Sequence, residues 1–305
     1  MFKTIVYIFI ISLLFNLKSE AQPLLDTKPL FNETLLLQHI KTLSSDAFEG
    51  RRTGTKGAIK AKQYIINQFY TLGVAPLGKD YEQSFSFLKD GKTYKGINVL
   101  GFVKGSDFPN EYIVISAHYD HVGIKKGRIF NGADDDASGI SALFSFAEYF
   151  KTHPPRHSVV LAAFDGEELG LKGSKYFVEN PIIQQKNMMM NLNMDMISRS
   201  DENELFVVGT RYNKALEYVI LKSNQSVNVK LLIGHDGKGK GQDWTYSSDH
   251  ASFYKKDIPF LYFGVEDHKD YHTPTDDYEN IQPEFYKEAV HVIISVFNKV
   301  DALRL

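Results

Sequence analysis

No cysteine occurs anywhere in the 305 residues, which removes disulfides, thiolate metal ligands and a cysteine nucleophile together. Neither sign of charge is in excess. With 35 Lys+Arg against 37 Asp+Glu, a net charge of -2 and a pI near 6.6, the chain carries no basic block for a nucleic acid. Long apolar runs are missing everywhere except at the N-terminus, and no cysteine is there to carry a lipid, so stable membrane insertion is not expected of the mature chain. The exception runs from Ile5 to Phe15, behind Lys3 and ahead of Ser19-Glu20-Ala21. That layout is a secretory signal peptide cut after Ala21. The expectation is an exported protein, periplasmic or secreted, with residues 22–305 as one domain. No internal repeat or low-complexity linker divides it.

What is present is an alternation of helical and strand patterns. Asn32 is placed to cap a helix through Leu35, Leu36, His39, Ile40 and Leu43. Gly57 to Leu72 keeps helical spacing and stops at Gly73. Tyr81 to Phe87 and Gly96 to Val103 alternate as strands around an Asp90-Gly91 turn. Short β-branched or apolar runs predict buried strands over Tyr112 to Ala117, Ser158 to Phe164, Met188 to Met194 and Ile258 to Phe263. Helices are expected over Ala137 to Phe150, Glu167 to Val178, Asn213 to Ser223 and Gln282 to Leu303, with strands over Glu204 to Val208 and Val227 to Ile233. The class is α/β.

The strands end on polar clusters. His118-Tyr119-Asp120-His121 closes the first, Asp165-Gly166-Glu167-Glu168 the second and Asp195 the third. The strand tips of an open parallel sheet are where such folds place ligands. Between them lies Asn131-Gly132-Ala133-Asp134-Asp135-Asp136-Ala137-Ser138-Gly139. Three aspartates among small residues suit a tight turn that aims carboxylates at a cation. A late histidine, His272, stands in Asp270-Tyr271-His272-Thr273-Pro274. Without thiolates, zinc takes imidazole and carboxylate, and a pair of ions needs a bridging carboxylate together with a separate general base. Cobalt or manganese would accept the same donor types. Adjacent glutamates leaving a strand point apart, so one can bind metal while the other faces water.

These motifs, with Ser45-Asp46-Ala47-Phe48-Glu49-Gly50-Arg51 and Ser248-Asp249-His250, resemble in order and spacing the zinc aminopeptidases of peptidase family M28. The resemblance covers nearly the whole mature chain. It implies a single-domain three-layer αβα fold with a central mixed, mostly parallel twisted sheet, and two zinc ions per chain. His118 and Asp195 would bind one zinc, Glu168 and His272 the other, and Asp135 would bridge them, with Asp134 standing where the family usually has asparagine. Glu167 would be the general base for a di-zinc-bound hydroxide that hydrolyses the N-terminal bond of peptides with a free amino group. Asp120 would orient His118, and Tyr271 would steady the oxyanion.

Two alternatives accompany this reading. Glutaminyl cyclases share the fold but use one zinc and lack the first histidine ligand, so His118 favours the two-metal hydrolase. A catalytically inactive peptide-binding homologue would be marked by loss of Glu167 or of a ligand, and all are present. The interval from Asp195 to His272 is too short for the lid domain of related zinc carboxypeptidases. His121, His235, His250 and His268 are expected to be structural or on the surface, with His250 and the loop around Trp244 bordering the substrate. Arg51 and Arg52 are expected to be solvated or paired with a carboxylate.

Overall fold

Helix α1 (Glu33–Leu43) begins where the Asn32 side chain accepts hydrogen bonds from the main-chain N–H groups of Thr34 and Leu35, satisfying two of the donors that a helix start leaves free. The structure is a computed structural model describing residues 29–303 except 224, 225, 227 and 238–241. The expected signal peptide at residues 1–21 lies outside the described residues. Helix α2 (Lys56–Leu72) stops on Gly73, whose φ of 77° is a conformation glycine adopts without a Cβ clash. Strand β1 (Ala75–Pro76) is followed by β2 (Glu82–Lys89) and β3 (Lys92–Val103). These last two close a hairpin at Asp90-Gly91, where φ is 50° and 73°, as a two-residue turn between twisted strands favours.

The chain continues through β4 (Phe108–His118), a small ribbon of β5 (Gly123–Lys125) and β6 (Arg128–Phe130), then α3 (Ser138–Phe150), β7 (His157–Phe164) and α4 (Lys172–Glu179). Strands β8 (Met188–Met194) and β9 (Glu204–Val208), helix α5 (Lys214–Leu221), β10 (Lys230–Ile233), α6 (His250–Tyr254), β11 (Phe260–Gly264) and α7 (Pro283–Asp301) complete it. The main sheet has the order β1-β3-β7-β4-β8-β11-β9-β10, with β2 also on β3. Its centre, β7-β4-β8-β11, is parallel throughout. The flanks are joined antiparallel, β3 to β7 and β9 to β11, so the sheet is mixed and its parallel character is confined mainly to the strands that carry the polar clusters.

Alternation along those strands builds three layers. Ile113, Ile115, Ala117, Val159, Leu161 and Ala163 pack into one apolar layer with α1, α2, α3, α5 and α7. Val114, Val160, Ala162 and Phe164 face the other side, against Phe177 of α4 and Phe253 of α6. Each such aliphatic or aromatic side chain contributes ~1.5–3 kcal/mol by leaving water. Helix α3 is apolar on nearly every face, and all its residues except Glu148 are buried, the mark of a helix enclosed by its neighbours.

One boundary differs in a way that matters to the site. A helix was expected from Glu167, but α4 starts at Lys172. The positive φ of Gly166, Gly170 and Leu171, at 75°, 101° and 56°, breaks the helical path. The chain instead folds into a tight turn in which the N–H groups of Gly170 and Leu171 donate to the carbonyl of Glu167. Glu167 and Glu168 therefore sit on a short turn at the end of β7.

Candidate metal centre

Four adjacent parallel strands deliver the site. His118 is the last residue of β4, Glu167 and Glu168 follow β7, Asp195 follows β8, and His272 lies in the loop after β11. Asp135 reaches the same point from the turn before α3. The structure thus brings His118, Asp135, Glu168, Asp195 and His272 together at one sheet edge, where crevices outside the carboxyl ends of strands form.

Of the three aspartates, Asp135 is the one whose carboxylate faces His118 and His272. Asp134 accepts from the Ser198 main chain at 2.7 Å and hydroxyl at 2.8 Å, and lies 3.0 Å from His268 Nε2. Asp136 points back into the fold, accepting from the N–H groups of Gly139 at 2.8 Å and His118 at 3.2 Å. A Cβ on Gly139 would fall 2.6 Å from the Asp136 carboxylate and 2.7 Å from the Met194 carbonyl, so only glycine lets this turn close. The main-chain N–H groups of Asp134 and Asp135 donate to the Asp276 carboxylate at 2.9 and 3.1 Å, which fixes the run from below.

The two carboxylate oxygens of Asp135 look toward different partners. Its Oδ1 is 3.1 Å from His118 Nε2, which is itself 3.4 Å from Asp195 Oδ1. Its Oδ2 is 3.0 Å from His272 Nε2, and that atom is 3.2 Å from Glu168 Oε1. His121, expected among the structural or surface histidines, is fully buried, with Nδ1 2.8 Å from Glu168 Oε1 and 3.5 Å from Asp135 Oδ2. Two donor sets result, one of His118, Asp135 and Asp195 and one of His121, Asp135, Glu168 and His272, each with its atoms within 4.8 Å of one another. These short contacts are not all hydrogen bonds: Glu168 Oε1 and both ring nitrogens of His121 are buried without a hydrogen-bond partner. Buried polar atoms left this way are costly unless something else satisfies them. Imidazole nitrogens and carboxylate oxygens converging on common points fit divalent cations such as zinc.

The electrostatics reflect the crowding. Burial lowers the affinity of His272 for a proton, yet Asp135 and Glu168 outweigh it and raise its pKa to about 10. For Glu168, burial and the Asp135 charge push upward, but His121 and His272 hold the carboxyl at about 2. His118 is raised well above its ordinary range because Asp195 and Asp135 overcome its burial. Glu167 is raised well above the usual glutamate value, by burial first and then by Asp195, Asp249 and Glu168, against the opposing pull of His118. His272 also adopts a φ of 52°, a left-handed conformation that costs a residue with a Cβ.

The role expected of Asp120 falls to a different part of that residue. Its main-chain carbonyl is 3.0 Å from His118 Nδ1, whereas its carboxylate lies 3.8 Å away. The carboxylate instead accepts from the Glu167 N–H at 3.0 Å and the Thr53 hydroxyl at 3.2 Å, so it ties the β4 end to the glutamate turn. Tyr271 stacks on His272, with ring centroids 4.0 Å apart. Both line a cleft of about 330 Å³ shared with His118, Asp135, Glu167, Asp195, Trp244 and Tyr262. His250 is buried and structural, with Nε2 2.9 Å from the Trp244 carbonyl and its ring stacked on Tyr262.

Arg51 corrects another expectation. It is neither solvated nor paired with a carboxylate: fully buried, it donates to the carbonyls of Tyr119 and Leu43 at 2.8 Å, Asn131 at 2.5 Å and Gly132 at 2.8 Å. One guanidinium thus latches the acidic turn to the end of β4, and its charge lies near Asp135 and Asp276. Arg51→Met is expected to destabilise the protein by at least ~3 kcal/mol, because several buried carbonyls lose a charged donor together. Urea unfolding checks this, and a loss under 1 kcal/mol would show that water replaces the latch.

The fold matches that of a glutaminyl cyclase from Porphyromonas gingivalis, with a TM-score of 0.74 at 18% identity over 90% of this chain and 100% of that one. It equally matches BSAP, a zinc aminopeptidase from Bacillus subtilis, with a TM-score of 0.70 at 18% identity over 90% and 96%. The sequence is more specific: residues 98–297 match the profile of Peptidase family M28, and the chain belongs to that family. Among curated relatives, aminopeptidase YwaD of Bacillus subtilis (strain 168) is 32% identical over 202 residues, covering 63% of this chain and 42% of that protein. A probable zinc metalloprotease of Pyrenophora teres f. teres is 34% identical over 109 residues, 34% of this chain and 22% of that protein. The match therefore spans less than half the length of either relative.

Proposed function

We propose that this chain is an exported, zinc-dependent aminopeptidase, with residues 22–305 forming its peptidase domain. The observation that carries the reading is the Asp135 carboxylate, whose two oxygens serve two separate donor sets at 3.0 to 3.5 Å. Asp135 would bridge two zinc ions, with His118 and Asp195 holding one and Glu168 and His272 the other. When bound, such ions acidify water and polarise the scissile carbonyl.

The residues of the chain supply the rest. Glu167 lines the cleft without belonging to either donor set, which supports the reading that its carboxylate would take a proton from the attacking water and return it to the leaving amine. The hydroxyl of Tyr271, at the cleft wall, would donate to the oxygen that gains charge as the carbonyl becomes tetrahedral. Asp195, Asp243 and Asp267 give the lining a negative cast, which suits a protonated substrate amino group. Met196, Trp244 and Val265 provide an apolar wall that would receive the terminal side chain of the substrate.

Purified protein is expected to contain about two zinc ions per chain and to release chromophores from aminoacyl substrates, with activity lost on chelation and on N-acetylation of the substrate. Cleavage of N-acetylated substrates at similar rates would remove the aminopeptidase assignment. The likeness to glutaminyl cyclases favours a second reading, cyclisation of N-terminal glutamine at a single zinc. Ammonia release from glutaminyl peptides without peptide-bond cleavage, together with one zinc per chain, would select it.

A further inference from the structure

We propose that His121 is a direct metal ligand, so that one of the two cation positions is closed by four protein donors while the other stays open. The inference rests on the two-cation reading above and extends it to a residue that reading does not use. His121 is fully buried, and neither of its ring nitrogens has a hydrogen-bond partner. An imidazole that makes no hydrogen bond in a sealed site is expensive, and a cation at Nδ1 removes part of that cost. The ring is also seated deliberately. A Cβ on Gly132 would lie 2.6 Å from two of its carbons, so the absence of a side chain at that position makes room for it. Its Nδ1 points to the side of Asp135 that already faces His272 and Glu168, at 3.5 Å from Asp135 Oδ2 and 2.8 Å from Glu168 Oε1. The His121 and His272 rings stand edge to face with centroids 5.7 Å apart, so they approach one point from different directions.

The consequence is an unequal pair. Zinc in a structural site is commonly four-coordinate and fully held by protein, whereas a catalytic site keeps a position for water or substrate. His121, Asp135, Glu168 and His272 make up the first kind of set, and His118, Asp135 and Asp195 the second. The closed position would bind its ion first and tightest and contribute charge to the site. The open position would keep room for water or substrate and exchange its ion more readily.

Zinc titration of the metal-free protein against a competing chelator tests this, with His121→Gln beside the wild type. The wild type is expected to show two unequal affinities, and the variant to lose at least about 100-fold at the tighter one, beyond the 10–100-fold that an outer hydrogen-bond partner of a ligand is worth. Zinc X-ray absorption on the fully loaded wild type reads the same point without any variant: three imidazoles over the two ions are expected. Two imidazoles over two ions would overturn the inference, even if the variant bound zinc more weakly, because His121 would then be acting through Glu168. Unchanged affinities in the variant would overturn it as well while leaving the two-cation reading intact. A wild type that takes up fewer than two ions would sink both.

Discussion

Glu167→Gln is expected to lower kcat by about 10²–10⁴-fold while the zinc content stays at the wild-type level. The substitution keeps the shape of the side chain and removes only its ability to take a proton. Glu167 lies outside both donor sets, so metal retention should be untouched, and the turn that carries it is fixed by main-chain bonds from Gly170 and Leu171 and by the Glu167 N–H to Asp120. A base must hold a proton long enough to pass it on, which asks for a pKa above that of a solvated glutamate. Burial and the neighbouring carboxylates of Asp195, Asp249 and Glu168 supply that upward push. Bound cations oppose it, being the largest local charges when present, so the acid limb of the pH profile in kcat should lie between the metal-free value and that of free glutamate. The variant should lose this limb. A variant that loses its metals together with its activity, or that keeps more than about a tenth of kcat, would assign the proton transfer elsewhere.

The position of Glu167 at a strand end was legible in the sequence, and the course of its backbone was not. Strand tips could be located because β-branched and apolar runs end abruptly on His118, Asp165 and Asp195, and the observed strands β4, β7 and β8 end at or beside those residues. The helix drawn from Glu167 was five residues too long at its start because helical spacing continues through Leu169 and Leu171, while the positive φ angles that break it depend on the fold around Gly166 and Gly170. Choosing Asp135 among three identical side chains needed the family pattern. What separates them physically is tertiary: Ser198 and His268 claim Asp134, and Gly139 with His118 claims Asp136. The family resemblance tied Asp120 to His118, but it says nothing about whether carbonyl or carboxylate makes the contact here. Arg51 was expected in solvent or beside a carboxylate, and the depth at which it and His121 are buried could not be read from the chain. The partners of Arg51 are main-chain carbonyls and the neighbours of His121 are the carboxylates of Asp135 and Glu168, and composition around either residue carries no trace of burial. The one signal at hand for His121 was that it shares a strand-end cluster with His118, three positions away.

Zinc binding and pH should be linked with a definite sign. In the metal-free protein His272 has a pKa of about 10 and His118 is raised well above 6.5, so both imidazoles carry protons at neutral pH. Zinc takes only the neutral ring, and loading both positions must expel about two protons from these groups. Glu168, held at about 2, is already ionised and releases none. The combined binding constant should therefore fall at least about tenfold for each pH unit of acidification between roughly pH 8 and 6, the share that His272 contributes alone, and more steeply where His118 is protonated too; calorimetry in buffers of different ionisation enthalpy would count the protons.

The same shifts act on stability in the opposite direction when metal is absent. For His272 the folded pKa lies above the unfolded 6.5, so its contribution is complete below 6.5 and is lost as pH rises through about 10. For Glu168 the folded pKa lies below 4.5, so its contribution is present above 4.5 and is lost as pH falls through about 2. This pair alone makes stripped protein most stable between those limits and progressively less so in alkali. Loaded protein gains affinity over the same alkaline range, and binding to the native state alone raises its stability. The gap in Tm between zinc-loaded and stripped protein should accordingly widen from pH 6 to pH 9. A gap that stays constant across that range would mean that His118 and His272 are unprotonated in the metal-free state, and with it that the carboxylates around Asp135 do not hold them as charged partners.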